Sequence, residues 1–419
     1  MSRGRYNWRA IWGRVYSRMT NFGTELVSKQ NTRRAIPWCD GEYDVGCIPY
    51  DNSDAVRERN STLLTQALEE QYRAGSYRGG NGVAGPMLYK IKFPAKEFWF
   101  GDRVDTPIRI GGAIEGAGGR AYAMTSGSYD VGANGGAMTR FTWADGTATS
   151  ACMRLRGYGF EMSNIAIQGR PYTVDAGGGI GPASGTKSNV GIEVEGRTSP
   201  VATGGHLIDH CLIQDCTYGI CCKAGYYNDA GTFVDDEAHA DTGRVYDTFF
   251  WSTDSCFRSE NQQALGWKFR DISLETWGGA GAIPMVVFDI VRGGHIRAWG
   301  VEILAQEVVL FKVTDYSPWN SSLEAYAVDR DRYANASSYL TLFKYAGAAV
   351  ADSGYIWRVR STGTFGDTAS TYDESKLIEI TNGATNWHFE DMLFDYRYLD
   401  TTDFTAVGHM YQPDAAWSG

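Results

Sequence analysis

The densest set of groups able to do chemistry is the segment GYYNDAGTFVDDEAHADTG at 225–243. It places Asp229, Asp235, Asp236, Glu237 and Asp241 around His239, with Tyr226 and Tyr227 at its start. Paired carboxylates can hydrolyse a glycosidic bond when one is held protonated and the other ionised. Clustered oxygen donors can hold calcium, which takes six to eight of them. Aromatic faces stack on sugar rings while neighbouring acids accept hydroxyl hydrogen bonds. Tyr226, Tyr227 and Trp277 are therefore glycan-binding candidates together with Asp229, Asp235, Asp236 and Glu237. A solvated acidic loop is the plainer reading of the same segment, and Trp267 could equally fill an interior.

Other constellations fall short of a known spacing. The cysteines at 211, 216, 221 and 222 follow C-x4-C-x4-C-C, which suits buried thiols better than zinc. The six histidines form no HExxH or i,i+4 pair, and no G-x-S-x-G occurs. The string GAGGRA at 116–121 formally matches a dinucleotide loop, but no helical pattern follows it. No metal site and no cofactor are expected, calcium being the one ion left open.

These groups need a scaffold, and composition points to β structure. Glycine is 51 of 419 residues, with 25 Tyr and 13 Trp but only 11 Pro. From Met87 onward the chain alternates short apolar runs with Gly, Asn, Asp or Ser. They include MLYKIKF at 87–93, NIAIQG at 164–169, GWKFRDISLE at 266–275, HIRAWGVEIL at 295–304 and WHFEDMLF at 387–394. Asn-Gly and Asp-Gly hairpin turns are rare between the runs, which argues against an antiparallel sandwich. Many runs come in pairs split by two to four residues, as bends within a coil require. An amphipathic helix over 60–74, with Asn60 as N-cap and Leu63, Leu64, Ala67, Leu68 and Tyr72 on one face, precedes the first strand. A solenoid needs such an element to cover its open end. The expectation is a right-handed, single-stranded parallel β-helix of roughly a dozen coils.

Charge divides the chain. The whole carries −10, yet residues 1–38 hold seven Arg and one Lys against Glu25 alone. Trp8, Ile11, Trp12, Val15 and Met19 form an apolar stripe there, with Arg9 and Arg14 largely on other faces. A basic amphipathic stretch docks on an acidic partner or a membrane surface. The acidic remainder excludes a general nucleic-acid binder. No apolar run is long enough to span a bilayer, and no secretory signal is evident, so reduced thiols are expected.

The order Asp40-Gly41, Asp51-Asn52, NSTLLTQALEE, IKFPAKEFWF and PIRIGGAIEGAGG resembles the entry segment of pectate-lyase-like bacteriophage tailspikes. In that family a DG…DNT signal leads into a capping helix, then a strand with Phe-Pro and one with I-x-G-x-G. Here Phe93-Pro94 and Gly116/Gly118 fit. Lys96 stands where a glycine is usual, and an insertion at 42–50 separates the first two elements. By a further likeness to pectate lyases, HLIDHC at 206–211 would make Asp209 a calcium ligand, although their companion Arg-x-Pro motif is missing.

The resemblance implies four segments: 1–38 for virion attachment, 39–86 for entry and capping helix, 87–395 for the β-helix, and 396–419 as a tail. It implies a homotrimeric virion structural protein on the particle surface, made in the host cytoplasm. Such a spike attaches to another virion protein through 1–38 (Trp8, Trp12, Arg9, Arg14) and binds host-surface polysaccharide as its receptor. The alternative is a depolymerase, hydrolase or lyase, on the same rod. No nucleic acid and no membrane are expected partners. Aromatics at Trp299, Trp319, Trp357 and Trp387 exceed what a narrow core hides and suit a trimer interface.

Residues 1–38 lie upstream of the capping helix, so their removal should open no coil edge. Deleting them is expected to leave the far-ultraviolet spectrum and melting of the rod nearly unchanged while abolishing incorporation into particles. Loss of folding or of trimers in the truncated chain would make the segment part of the core.

Overall fold

In the computed structural model, backbone pairing is overwhelmingly parallel. Described are residues 38–76, most of 90–314, and the later strands at 321–330, 339–345, 354–361, 378–380, 387–390, 393–394 and 412–413; the gaps within 90–314 are 109–110, 118–137, 144–150, 171–172, 175–179, 182–186, 199–201, 229, 231, 236–238, 252, 276–284 and 305–306. Residues 1–37 of the attachment segment and Trp319 therefore lie outside the described residues, as does most of the tail; the segment's last residue, Trp38, begins a strand and pairs in parallel with Lys90.

Each coil contributes one strand to a 10-stranded sheet, so the described chain completes ten turns of a parallel β-helix. The rest of each coil runs through a 17-stranded sheet. In early coils that part is two short strands meeting at a bend, such as Glu161–Ser163 and Ile165–Gln168. Later the two fuse into one, as in Trp267–Glu275, His295–Leu304 and Ser321–Arg330. Among the described strands only Thr173–Val174 with Ile180–Gly181, and Gly225–Tyr227 with Phe233–Asp235, pair antiparallel. At ~4.8 Å per strand, ten coils give a rod on the order of 45 Å long.

Alternation explains the interior. Residues of one parity point inward and stack on their register partners in the next coil. Phe257, Phe288 and Phe311 are in register and fully buried. The rings of Phe288 and Phe311 stack at 5.1 Å. At the entry end Phe93 meets Phe98 at 5.0 Å and Phe141 at 4.8 Å, edge to face. Trp267 is fully buried and donates from Nε1 to the Ala240 carbonyl at 2.8 Å, so it fills the interior. Of the eight cysteines all are free, and all but Cys39 are buried.

The capping helix is longer than its apolar stripe suggests, running Asp54–Ser76 through Gly75. Leu64, Ala67 and Leu68 are buried on the first coils as the pattern requires. The start differs from expectation. Asp51 accepts from the Ser53 amide at 2.9 Å, and the Ser53 carbonyl accepts from Val56 and Arg57, so Ser53 is the cap. Asn60, expected as N-cap, is a fully buried mid-helix residue. Its Oδ1 accepts from the Ile48 amide at 2.8 Å, while Nδ2 donates to the carbonyls of Ile48 and Trp99, both at 3.0 Å. An Asn preceding an apolar stripe carries the same sequence signal in either role.

The entry motifs act together. Asp40 Oδ1 accepts from the amides of Glu42 and Tyr43 at 2.9 and 2.8 Å, turning the chain. Gly41 lies so close to Phe93 that a Cβ there would meet the ring at 2.4 Å. The two departures from the tailspike-like pattern pair with one another. Lys96 Nζ reaches both carboxylate oxygens of Glu42, within the 42–50 insertion, at 2.7 and 3.0 Å.

His206 is fully buried, accepts from the Phe160 amide at 3.3 Å through Nδ1, and has its pKa pushed down to about 3 by burial. The unfolded imidazole binds a proton near pH 6.5 and the folded one does not, so stability is complete above that pH and lost as pH falls. His206→Asn, which keeps an acceptor, is expected to flatten the acid limb of a stability–pH curve by on the order of 1.4 kcal/mol per pH unit across that window. Identical acid limbs in urea titrations would contradict this.

Candidate functional site

Parallel register turns each outward sequence position into a row running along the rod. Three such rows lie together on the 17-stranded sheet. The first is the bend itself, where Asn164, His210, Asp247 and Asp271 occupy the left-handed region (φ 46 to 56°) and Gly300 follows at 67°. Asn, Asp and Gly tolerate that conformation best. Amides along this row bond across coils, His210 to the Tyr246 carbonyl at 3.1 Å and Asp247 to that of Arg270 at 2.9 Å.

The second row lies one residue before the bend: Asp209, Tyr246, Arg270 and Trp299, each in register with the next. The Arg270 guanidinium sits 4.5 Å from the centre of the Tyr246 ring. Trp299 is 56% exposed. Two residues earlier runs the third row, with Arg244, Lys268 and Arg297 exposed and in register, followed by Glu324. Arg297 grips Glu324 through Nε and Nη2 at 2.7 and 3.1 Å.

Where the first two rows meet, His210 Nδ1 lies 2.9 Å from Asp209 Oδ1, and Nε2 lies 3.9 Å from Asp247 Oδ2. This is the one group of three metal-capable side chains among the described residues. It includes Asp209, the position matching the pectate-lyase calcium ligand. Two carboxylates and an imidazole do not fit calcium, which needs a shell of oxygens. No step is drawn through that ion.

The acidic segment sits elsewhere, outside the 10-stranded sheet. There the outward row Asp105, Arg154, Glu193, Cys221, Arg258, Asp289 and Lys312 is in register across successive coils. Arg154 Nε pairs with Glu193 at 2.5 Å, and Arg258 Nη1 pairs with Asp289 at 2.5 Å. Glu195, nearly fully buried, is ringed by Arg154, Arg156 and Arg197 at 3.4 to 3.7 and 3.3 Å. Burial raises its pKa while the three guanidinium groups pull it back.

The antiparallel hairpin covers this row at Arg154 and the neighbouring Arg197. The Tyr227 ring lies over Arg154 at 4.5 Å and the Tyr226 ring over Arg197 at 3.8 Å. Each tyrosine thus gives one face to a cation in the fold. Asp235 is exposed at the hairpin's far end, opposite Gly225, with Phe233 exposed nearby and edge-on to Tyr227. His239 Nδ1 lies 2.9 Å from Asp241 Oδ2. Asp229, Asp236, Glu237 and Trp277 lie outside the described residues.

Sequence reasoning passed over the Tyr246, Arg270 and Lys268 rows, naming only Trp299 as surface. A signal existed in GWKFRDISLE and HIRAWGVEIL: Lys-x-Arg aligned on Arg-x-Trp gives both rows once the two strands are placed in register.

No protein family matches the sequence, and neither does any curated protein. Among solved structures, a point mutant of DFA-IIIase from Arthrobacter chlorophenolicus A6 is similar at 14% identity and a TM-score of 0.46, over 85% of this chain and 76% of that one. The same enzyme in complex with GF2 gives 13% identity and 0.43, over 91% and 90%. Alginate lyase from Paenibacillus sp. str. FPU-7 gives 9% and 0.35, over 80% and 97%.

Arg154→Ala would leave Glu193 and Glu195 buried beside fewer cations and unseat Tyr227. The expected cost is about 3–5 kcal/mol, read as a lowered melting temperature. An unchanged melting temperature would show that the covered row is not structural.

Proposed function

We propose that the chain is the rod of a bacteriophage spike that binds host-surface polysaccharide without cleaving it. The observation carrying this is the outer-face row Tyr246, Arg270 and Trp299, held in register on three successive coils. A sugar chain running along the rod meets a stacked Tyr–Arg pair and then an exposed indole, at intervals of about one strand spacing, ~4.8 Å. A pyranose chain advances by a similar length per residue. Rigid strands present these side chains with little ordering entropy left to lose. Asp209, Asp247 and Asp271 flank the row and can accept hydroxyl hydrogen bonds.

The wider reading follows from the entry motifs and the basic N-terminal segment. The spike is a homotrimer on the virion, joined to another virion protein through residues 1–38, with Trp8, Trp12, Arg9 and Arg14 at the contact. The hairpin carrying Tyr226, Tyr227 and Asp235 serves as a second rim for glycan, its tyrosines oriented by the arginines beneath.

Cleavage is the second reading, and one observation favours it: Asp209 and Asp247 bracket His210 beside Tyr246, a pair of carboxylates with an imidazole between them. In this reading the acids act on a glycan lying in the same row.

Trp299→Ala is expected to weaken binding of the full-length protein to purified envelope polysaccharide of a susceptible host by about tenfold or more, about 1.4 kcal/mol, with an unchanged melting temperature. New reducing ends or unsaturated products appearing with wild type, and lost in Asp209→Asn, would establish the depolymerase instead. Undiminished binding by Trp299→Ala would move the site off this row.

A further inference from the structure

The row beside the aromatics carries an unusual charge pattern. Arg244 and Lys268 are register partners, Lys268 and Arg297 are register partners, and all three are exposed. Like charges directly opposite one another on neighbouring strands destabilise a sheet. The chain as a whole carries −10, so three stacked cations are not the overflow of a basic protein.

The same face at the entry end provides the comparison. There Lys90 lies 3.7 Å from Glu115 and 3.6 Å from Glu161, and Lys92 lies 3.2 Å from Glu115, so the cations of one coil are paired with acids of the next two. That pairing stops before Arg244, whose register partner on the preceding coil is Leu207, and an acid next stands in the row at Glu324. Arg270, one row over, adds a fourth cation and lies 3.4 Å from Asp271. Of the other acids here, Asp209 stands in the aromatic row itself, Asp247 at the bend, and Glu275 and Glu302 beyond it.

His295, two residues before Arg297, reports the local field. Its pKa is lowered, first by burial; Glu324 pulls it up, and Arg297 and Lys268 push it down.

We infer that the polysaccharide bound here is acidic, with its carboxylate or sulfate groups on the Arg244–Lys268–Arg297 row and its hydroxyls towards the aspartates of the bend. This rests on the polysaccharide-binding reading above. The three cations span roughly 10 Å along the rod, two strand spacings. They suit a chain bearing an anion on each residue or on alternate residues. Carboxylates and sulfates both accept the planar fork of arginine, so the row fixes the charge of the ligand and leaves the choice between them to measurement.

The test uses full-length protein and four probes: polyglucuronate, dextran sulfate, neutral dextran, and single-stranded DNA of matched charge. The expected result is binding to one or both acidic polysaccharides that weakens as salt rises, with little binding to dextran or DNA. The double variant R244Q/K268Q should lose about tenfold or more in affinity for the acidic probe while its melting temperature holds or rises, since the abutting like charges are gone. The His295 imidazole, followed by NMR, should titrate at higher pH when that probe is bound. Comparing the polyglucuronate and dextran sulfate arms identifies the anion. Equal binding of dextran and the acidic probes, reduced by Trp299→Ala but unchanged in R244Q/K268Q, would overturn the acidic inference and leave the polysaccharide reading standing. Preferential binding of DNA would overturn both, as would failure of every probe to bind.

Discussion

Everything in this molecule depends on in-register parallel hydrogen bonding between coils. An isolated turn of the helix cannot satisfy its own strand amides and carbonyls; only the coil before and the coil after can. Because side chains alternate with a period of two, locking one backbone register locks the facing of every residue in the strand. The sequence of each strand is then copied into space as a short segment of several rows, and neighbouring coils must agree about each row. Inside, agreement means rings in register, stacked as Phe288 on Phe311. Outside, it means charges that alternate or are covered.

The two outer faces resolve that demand differently. On the 10-stranded sheet the row from Asp105 to Lys312 alternates in sign around Cys221, with Tyr227 over its Arg154, so neighbouring charges are paired and half-buried or buried. Removing one member leaves its neighbours uncompensated, which makes this face structural. On the 17-stranded sheet the rows through Arg244 and Trp299 are open, and like charges abut. In the proposed reading, a ligand is what that face is shaped for. The bend beside it, held by left-handed Asn and Asp residues, fixes the angle at which these rows stand.

The fold was legible from the chain because its signals are local. Short alternating runs, scarce hairpin turns and a helix before the first strand are all visible in one dimension, and Asp40-Gly41 and Phe93-Pro94 proved to be in contact. The proposed binding face was not legible, because it exists only between coils. The strand at Glu161–Ser163 follows Ala113–Gly116 by dozens of residues, while Trp267–Glu275 and His295–Leu304 follow closely, so no fixed repeat reveals the register. Density of acids drew attention to 225–243 instead, where Tyr226 and Tyr227 turned out to cover arginines. Asn60 was misplaced for a related reason: its partners, Ile48 and Trp99, lie 12 and 39 residues away.

Hydroxyl-radical footprinting of the intact protein, with and without a candidate polysaccharide, tests the central claim most directly, since it reads the accessibility of individual side chains. If the open rows are the principal binding face, Trp299 and Tyr246 become protected at ligand concentrations that still leave Phe233, exposed on the hairpin of the opposite face, oxidised as before. Protection of Phe233 and Tyr227 with Trp299 unaffected would contradict the account and place the glycan over the covered row.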